Sequence, residues 1–163
     1  MDYTITTKKK EDFLVSKHIH SVFFEYFGKV IYDGIWVGKD SKIPNIDGIR
    51  KDVIDGCKEL DLGAMRWPGG CCADHYHWKN GIGKKREACY HPISDPANPV
   101  WRNDFGTDEF LRFCELTGAD PVITVNTATG SPEEFLEWYE YVNGSPETKF
   151  GAMRAENGHK EPY

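Results

Sequence analysis

The sequence predicts an α/β fold in which strands and helices alternate along the chain. Segment 20–27 is rich in β-branched and aromatic residues, and segments 62–67 and 121–126 are further short apolar runs, as is typical of buried strands. Each is followed by a stretch whose apolar residues recur at helical spacing. The Glu-Leu pairs at 59–60 and 115–116 precede the second and third strands at similar points, which supports a repeated unit. Such alternation indicates a parallel sheet with helices packed outside it.

Two architectures contain this arrangement, an open doubly wound sheet and a (β/α)8 barrel. Open sheets that bind dinucleotides place a glycine-rich fingerprint directly after a strand, and none of the three predicted strands is followed by one. The sequence therefore favours a partial (β/α)8 TIM barrel made of the first three βα units. We expect residues 1–18 to form a lead-in segment with a strand, and residues 19–163 to form the N-terminal part of the barrel, ending before strand four.

Each predicted helix has its own start signal. Asp47 is a candidate N-cap for the first helix, because its short side chain can accept a backbone N–H bond. Thr107 begins the second helix, which places Asp108 in the first turn, where a carboxylate suits the helix dipole. Ser131 precedes Pro132 and completes a capping-box pattern for the third helix.

The apolar residues of these helices predict which faces are buried. The first helix presents Ile49, Val53, Ile54, Cys57 and Leu60. The second presents Phe110, Leu111, Phe113, Cys114 and Leu116. The third presents Phe135, Trp138, Tyr139 and Val142.

A long connection spans residues 69–106 and is rich in Gly, Pro, His and Trp. Connections longer than about 15 residues without secondary structure are usually functional or disordered. Because this one contains Trp78, Tyr90 and Trp101, we interpret it as a functional loop.

Composition excludes several classes of partner. The net charge of −6 and the acidic residues after the cationic run at 8–10 exclude nucleic acid, because phosphate binding needs clustered basic residues. No apolar stretch approaches the roughly 20 residues that span a bilayer, and the polar N-terminus does not resemble a signal peptide. Five cysteines without regular spacing indicate reduced thiols and a cytoplasmic protein. The Cys and His residues of 71–77 fit no zinc-site spacing, so we expect neither metal nor organic cofactor.

Polar residues end the three predicted strands: Glu25, then Arg66, then Asn126. In βα-barrels the carboxyl ends of the strands form the active-site face, so these side chains are expected at one rim. A carboxylate, a guanidinium and an amide suit hydrogen bonding to the adjacent hydroxyls of a sugar. A purely structural alternative stays open here: Glu25 and Arg66 could form a buried ion pair that orders the rim.

Four ordered segments resemble the α-L-arabinofuranosidases of glycoside hydrolase family 51, and the similarity extends over residues 20–161. The segment most specific for the family is Arg66-Trp67-Pro68-Gly69-Gly70, followed by Ala73-Asp74 and Tyr76-His77-Trp78. The other segments are Phe24-Glu25-Tyr26-Phe27-Gly28, Ile35-Trp36-Val37-Gly38 and Phe105-Gly106-Thr107-Asp108-Glu109-Phe110.

The resemblance implies a (β/α)8 barrel with a β-sandwich domain, to which residues 1–18 could pair, in an enzyme that is often homo-oligomeric. It implies retaining hydrolysis of terminal α-L-arabinofuranosyl groups from polysaccharides and oligosaccharides. Glu25, Arg66, Cys71 and Asn126 fall at positions similar to those that line the arabinose subsite in the family.

Retaining hydrolysis uses two carboxyl groups about 5–5.5 Å apart. The resemblance implies that both catalytic carboxylates lie beyond Tyr163 and that Glu25 binds substrate instead. Two other interpretations stay open: a non-catalytic carbohydrate-binding or scaffold fragment, and an inactive truncated product.

Overall fold

A computed structural model describes residues 2–8, 14–91 and 99–163. The strands are β1 (Val22–Phe23), β2 (Asn45–Ile46), β3 (Ile49–Arg50), β4 (Ala64–Trp67), β5 (Cys89–Tyr90), β6 (Val100–Trp101) and β7 (Asp120–Ile123). The α-helices are α1 (Lys51–Glu59), α2 (Thr107–Thr117), α3 (Pro132–Asn143) and α4 (Lys149–Glu156). Part of the cationic run at 8–10 and residues 92–98 of the long connection lie outside the described residues.

The central sheet is parallel and has the order β1-β4-β7. Its register places Arg66 between Phe23 on one side and Val122 on the other. Strands that are consecutive units of the alternating pattern are therefore neighbours in space, which confirms the predicted α/β fold with a parallel sheet.

The helices cover one face of this sheet. Met65 and Trp67 point into that layer and are fully buried, with the Trp67 ring stacked on Phe110 at a centroid distance of 5.2 Å. Phe24 contacts Phe113 of α2 on the same side, at 5.6 Å. The core therefore lies between the sheet and α2, and it is aromatic because large rings fill the gap between the layers.

The hairpin β2–β3 corrects the predicted start of the first helix. Asp47 and Gly48 form its two-residue turn with φ values of 56° and 94°, the left-handed conformation that Asp-Gly pairs favour between antiparallel strands. The helix begins later, at Lys51 after Arg50. Asp47 is thus not an N-cap; its carboxylate forms an ion pair with Arg112 of α2 at 3.0 Å instead.

The N-terminal region also differs from expectation. The predicted strand over residues 20–27 is limited to the two residues of β1, and a 3₁₀ turn, Lys17–Ile19, precedes it. Residues 2–8 and 14–16 contain no strand, so the predicted lead-in strand is wrong for the described part of residues 1–18. Tyr3 and Ile5 are 85% and 89% exposed, so their side chains add little buried apolar surface to support a strand here.

Helix α2 starts at Thr107 as predicted, and Glu109 Oε2 accepts the Gly106 N–H at 2.9 Å. Helix α3 starts as predicted too, because Ser131 Oγ accepts the Glu134 N–H at 3.2 Å. Its predicted buried face is only half right: Trp138 is buried, whereas Phe135 is 44% exposed and Tyr139 59% exposed. The reason is that these two rings project past β7, where the described residues form no further strand.

The long connection is more ordered and more buried than predicted. It contains two 3₁₀ helices, Ala73–His75 and Trp78–Gly81, and the antiparallel pair β5–β6. Trp78 and Trp101 belong to the hydrophobic core, and Tyr90 is exposed. Most of the aromatic content that suggested a functional loop therefore serves packing.

Candidate functional site

Glu25 follows β1 at the carboxyl end of the sheet and is held by the turn that follows β4. Its Oε2 accepts the backbone N–H of Gly70 at 3.1 Å. A Cβ atom on Gly69 would lie 2.1 Å from the Glu25 Cβ, and Gly69 has a φ of 130°. Only glycine satisfies both conditions, so the Pro-Gly-Gly turn lets the main chain approach the Glu25 side chain closely.

Two adjacent thiols occupy the same turn but have different environments. Cys71 is exposed and Cys72 is buried in the core. Burial raises the pKa of the Cys72 thiol to about 12, and the nearby Glu25 carboxylate contributes in the same direction. Cys72 is therefore a neutral thiol beside Glu25, and Cys71 is the cysteine that a ligand at this rim could reach.

Arg66 lies in β4 on the face that the helices leave uncovered. Its guanidinium carbon stands 4.7 Å from the centroid of the Phe23 ring, a cation–π contact. Within residues 14–91 and 99–163, its side chain has no ion pair and no hydrogen bond. The Glu25–Arg66 ion pair considered from the sequence is not found, and the N–H donors of Arg66 remain available to a ligand.

Asn126 lies three residues beyond β7 and organises the loop there. Its Nδ2 donates to Tyr76 O at 3.3 Å and to Thr129 Oγ1 at 2.9 Å, and its Oδ1 accepts the Thr129 N–H at 2.9 Å. The structure thus joins Asn126 to the same turn region that holds Glu25. Its amide group is engaged by the protein, unlike the Arg66 guanidinium.

The structure also shows contacts near this rim made by residues that the sequence analysis did not single out. The buried Tyr26, next to Glu25, donates its hydroxyl to Phe105 O and stacks on Trp101 at 4.8 Å. Arg86 and Glu109 form a bidentate ion pair with both bonds at 2.8 Å, and Arg86 also donates to the carbonyl groups of residues 103 and 104. Glu109 stands three residues after Gly106 at the start of α2, a position from which a carboxylate can cap a helix. Nothing local in the sequence indicated its ion-pair partner 23 residues earlier.

The histidines of the 71–77 segment have structural neighbours. His77 Nδ1 lies 3.0 Å from Glu134 Oε1 at the start of α3. The His75 ring lies 4.6 Å from that of His91, which stacks on Trp101 at 4.0 Å. In the described ranges no group of three or more His, Cys, Asp or Glu side chains is arranged to hold a metal ion. Nor does any helix of those ranges have the length and apolar character to cross a membrane.

Comparison with known proteins gives consistent results. The domain model described as "Alpha-L-arabinofuranosidase 1 domain" matches residues 56–163. An "Intracellular exo-alpha-L-arabinofuranosidase" of Bacteroides ovatus is 39% identical over 150 residues, which are 92% of this chain and 29% of that protein. The probable α-L-arabinofuranosidase C of Aspergillus niger is also 39% identical, over 91% of this chain and 29% of its own length.

Solved structures agree with these relatives. The crystal structure of the GH51 arabinofuranosidase from Xanthomonas axonopodis pv. citri matches with a TM-score of 0.85 and 38% identity, over 91% of this chain and 30% of that one. The α-L-arabinofuranosidase from Thermotoga maritima, solved as an arabinose complex, gives a TM-score of 0.83 and 39% identity over the same shares. The chain therefore spans about 30% of the length of its relatives and belongs to the α-L-arabinofuranosidases of glycoside hydrolase family 51.

Proposed function

We propose that this protein supplies part of the arabinose subsite of an enzyme that hydrolyses terminal α-L-arabinofuranosyl residues from arabinose-containing polysaccharides and oligosaccharides. The observation that carries the proposal is the Arg66 guanidinium, which is half-buried against Phe23 and has no ionic partner in the described ranges. Part of this guanidinium faces the uncovered side of the sheet, where its N–H donors can bind the oxygen atoms of a ligand. The names of the relatives support the choice of sugar.

In this proposal the rim residues have different roles in sugar binding because their side chains differ in chemistry. Arg66 supplies several N–H donors in a fixed plane, which suits the oxygen atoms of vicinal hydroxyls. Glu25 supplies acceptors whose orientation is fixed by the Gly70 N–H. Cys71 lines the same turn from the solvent side, and Asn126 connects that turn to the loop after β7.

The mechanism we propose is retaining hydrolysis by two carboxylates, and Glu25 is neither of them. The acid/base and nucleophile must stand about 5–5.5 Å apart on opposite sides of the reacting bond. Among the described residues, Glu25 is the carboxylate that faces the Pro-Gly-Gly turn, and its contacts are those of an oriented hydrogen-bond acceptor. We assign the catalytic pair to a part of the enzyme beyond Tyr163, with no cofactor taking part.

We also propose that the three parallel strands are the first three units of a (β/α)8 barrel. Their order follows the chain and their helices lie on one face, while Phe23 and Val122 on the other face are 53% and 45% exposed. In a closed barrel that face fills with side chains from the remaining strands. Residues 1–18 would then be the lead-in to a second domain, and the relative named intracellular supports a cytoplasmic location.

The proposal is tested in a chimera. Residues 1–163 replace the matching part of the Thermotoga maritima arabinofuranosidase, and hydrolysis of an aryl α-L-arabinofuranoside is measured. The chimera should be active, whereas residues 1–163 alone should show no turnover, because the catalytic pair is assigned elsewhere. In the chimera, Arg66→Ala should lower kcat/KM at least tenfold, which corresponds to ~1.4 kcal/mol of transition-state stabilisation.

The matched control is Arg112→Ala, since Arg112 is an exposed arginine of α2 whose ion pairs lie on the outer surface. It should leave kcat/KM within twofold of the parent chimera. Wild-type kinetics in a folded Arg66→Ala chimera, turnover by residues 1–163 alone, or a folded chimera without activity would each contradict the proposal.

A further inference from the structure

A set of polar contacts joins the turn region after β4 to the loop after β7. Thr127 Oγ1 donates to Asp74 Oδ1 at 3.2 Å, and Thr129 Oγ1 donates to Asp74 O at 2.9 Å. Asn126 Nδ2 donates to Tyr76 O at 3.3 Å. We call these five residues the rim bridge. It links two loops that are about 50 residues apart in sequence, on neighbouring strands.

The Thr129 hydroxyl is the centre of the rim bridge. It has one proton and two possible acceptors, Asp74 O at 2.9 Å and Asn126 Oδ1 at 3.3 Å. The shorter contact takes the proton, because Asn126 Oδ1 already accepts the Thr129 N–H. The hydroxyl oxygen in turn accepts Asn126 Nδ2–H at 2.9 Å. Thr129 therefore fixes the side chain of Asn126 and the main chain of Asp74 at once.

The orientation of the Asn126 amide is determined by these neighbours. If its oxygen and nitrogen were exchanged, the oxygen would face the Tyr76 carbonyl, and the NH₂ group would face the Thr129 N–H. Both contacts would place like partners together, two acceptors and two donors. Both the oxygen and the nitrogen of the Asn126 amide are thus hydrogen-bonded to the two loops. We therefore infer that Asn126 acts on a ligand indirectly, by fixing the position of those loops.

We propose that Thr129 is a positioning residue for the arabinose subsite. Its hydroxyl is bonded to Asn126 and to the main chain of Asp74, which lies in the 3₁₀ turn Ala73–His75; this turn begins three residues after Gly70, whose N–H orients Glu25. The inference rests on the proposed function and extends it to a residue outside the subsite. Thr129 is exposed and lies outside the hydrophobic core, so its hydroxyl can be removed without opening a cavity.

The first test uses residues 1–163 and needs no activity. Hydrogen exchange is measured at the amides of Ala73, His75 and Tyr76, which donate to the carbonyl groups of Gly70, Cys72 and Ala73. Thr129→Val keeps the shape and removes the hydroxyl, so these amides should exchange at least fivefold faster. Thr129→Ser keeps the hydroxyl and should exchange as the parent does. Equal exchange in the Val variant and the parent would overturn the inference.

The second test uses the chimera and separates positioning from general destabilisation. Thr129→Val should lower kcat/KM about tenfold with an unchanged circular dichroism spectrum, because small displacements of a site loop reduce turnover strongly. Thr129→Ser should restore kcat/KM to within twofold of the parent. Parental kinetics in the Val variant, or no recovery in the Ser variant, would overturn the inference. An inactive parent chimera would instead refute the proposed function, and the exchange result would then decide on the rim bridge alone.

Discussion

The two faces of β4 differ sharply although they belong to one four-residue strand. Met65 and Trp67 point to the helices and have no exposed surface. Arg66, between them in sequence, points the other way and lies between Phe23 and Val122, which are about half exposed. Successive side chains of a strand point to opposite faces of the sheet, so one residue can be packed against the helices while the next is exposed.

This difference divides the residues of one strand into a packed set and an open set. The helix-covered face is filled with rings that contact one another, as with Trp67 between Phe110 and Tyr76. The open face has a cation with unused donors. We therefore expect substitutions on the covered face to change the free energy of unfolding, and substitutions on the open face to change activity.

The largest expected effect is on the covered face. Trp67→Ala removes a fully buried ring and should lower the free energy of unfolding by about 3–5 kcal/mol, a large part of the total for a domain. Val122→Ala, on the open face, should change it by less than about 1 kcal/mol. Urea unfolding of residues 1–163 measures both. Similar losses for the two variants would contradict the distinction between the faces.

A second prediction compares the reactivity of the exposed thiol at the rim with that of the buried thiols. Burial raises the pKa values of Cys72 and Cys114 to about 12, whereas Cys71 is exposed at the rim. Since the thiolate is the reactive form, iodoacetamide at pH 8 should label Cys71 at least ten times faster than either buried thiol. All five cysteines should react in denaturant, because none is in a disulfide. Mass spectrometry after timed labelling measures this; comparable rates at Cys71 and Cys72 would refute it.

The smallest effect is expected at the amino end of the sheet, where Asp120 begins β7. Hydrogen bonds from Lys17 and His18, both 2.7 Å from Asp120 Oδ2, lower the pKa of this carboxyl. A group whose pKa is lower in the folded state adds stability above its unfolded pKa, near ~3.9 for Asp, and that stability is lost as the pH falls through the folded value. Asp120 is exposed at the surface, so the contribution is small.

The measurement compares urea midpoints of the parent chain and Asp120→Asn at pH 6 and near pH 2.5. The parent should be slightly more stable at pH 6, and the difference should shrink at the lower pH. A difference that stays constant between the two pH values would show that the carboxylate charge does not contribute.

Local signals in the sequence predicted local structure well. Ser131-Pro132 and Thr107 fixed two helix starts, because capping depends on residues within one turn. The Asp47-Gly48 pair was also an informative signal, but it indicates a hairpin turn and not a helix cap. Its positive φ values are those of the turn. Helix α4 was not predicted, since its stability depends on contacts such as the Arg154 guanidinium donating to Tyr141 O at 2.6 Å, not on a strong apolar face.

What sequence could not supply was the neighbour of each residue across the fold. The helical spacing that buried Trp138 applied equally to Tyr139, yet only the tertiary position of α3 beyond β7 decides which is covered. At the rim, Glu25, Arg66, Cys71 and Asn126 could be named from the strand ends and the family resemblance. Their partners, Gly70, Phe23 and Thr129, required the geometry, because these contacts join separate loops.

Burial of every indole has an optical consequence. All five tryptophans, at positions 36, 67, 78, 101 and 138, are no more than 7% exposed, and none of the described residues that line the open face of the sheet is a tryptophan. Tryptophan fluorescence therefore reports on the packing of the aromatic core, and a red shift of the emission maximum indicates that water has entered the core. Trp78 and Trp138 are stacked with nearly parallel planes, 4° apart and with centroids separated by 6.3 Å, so their coupled transitions should give the near-ultraviolet spectrum a signature of the α3 interface. If a sugar binds beside Arg66, as proposed, it does so on a face of the sheet that carries no tryptophan, and calorimetry or nuclear magnetic resonance is the suitable measurement of its binding.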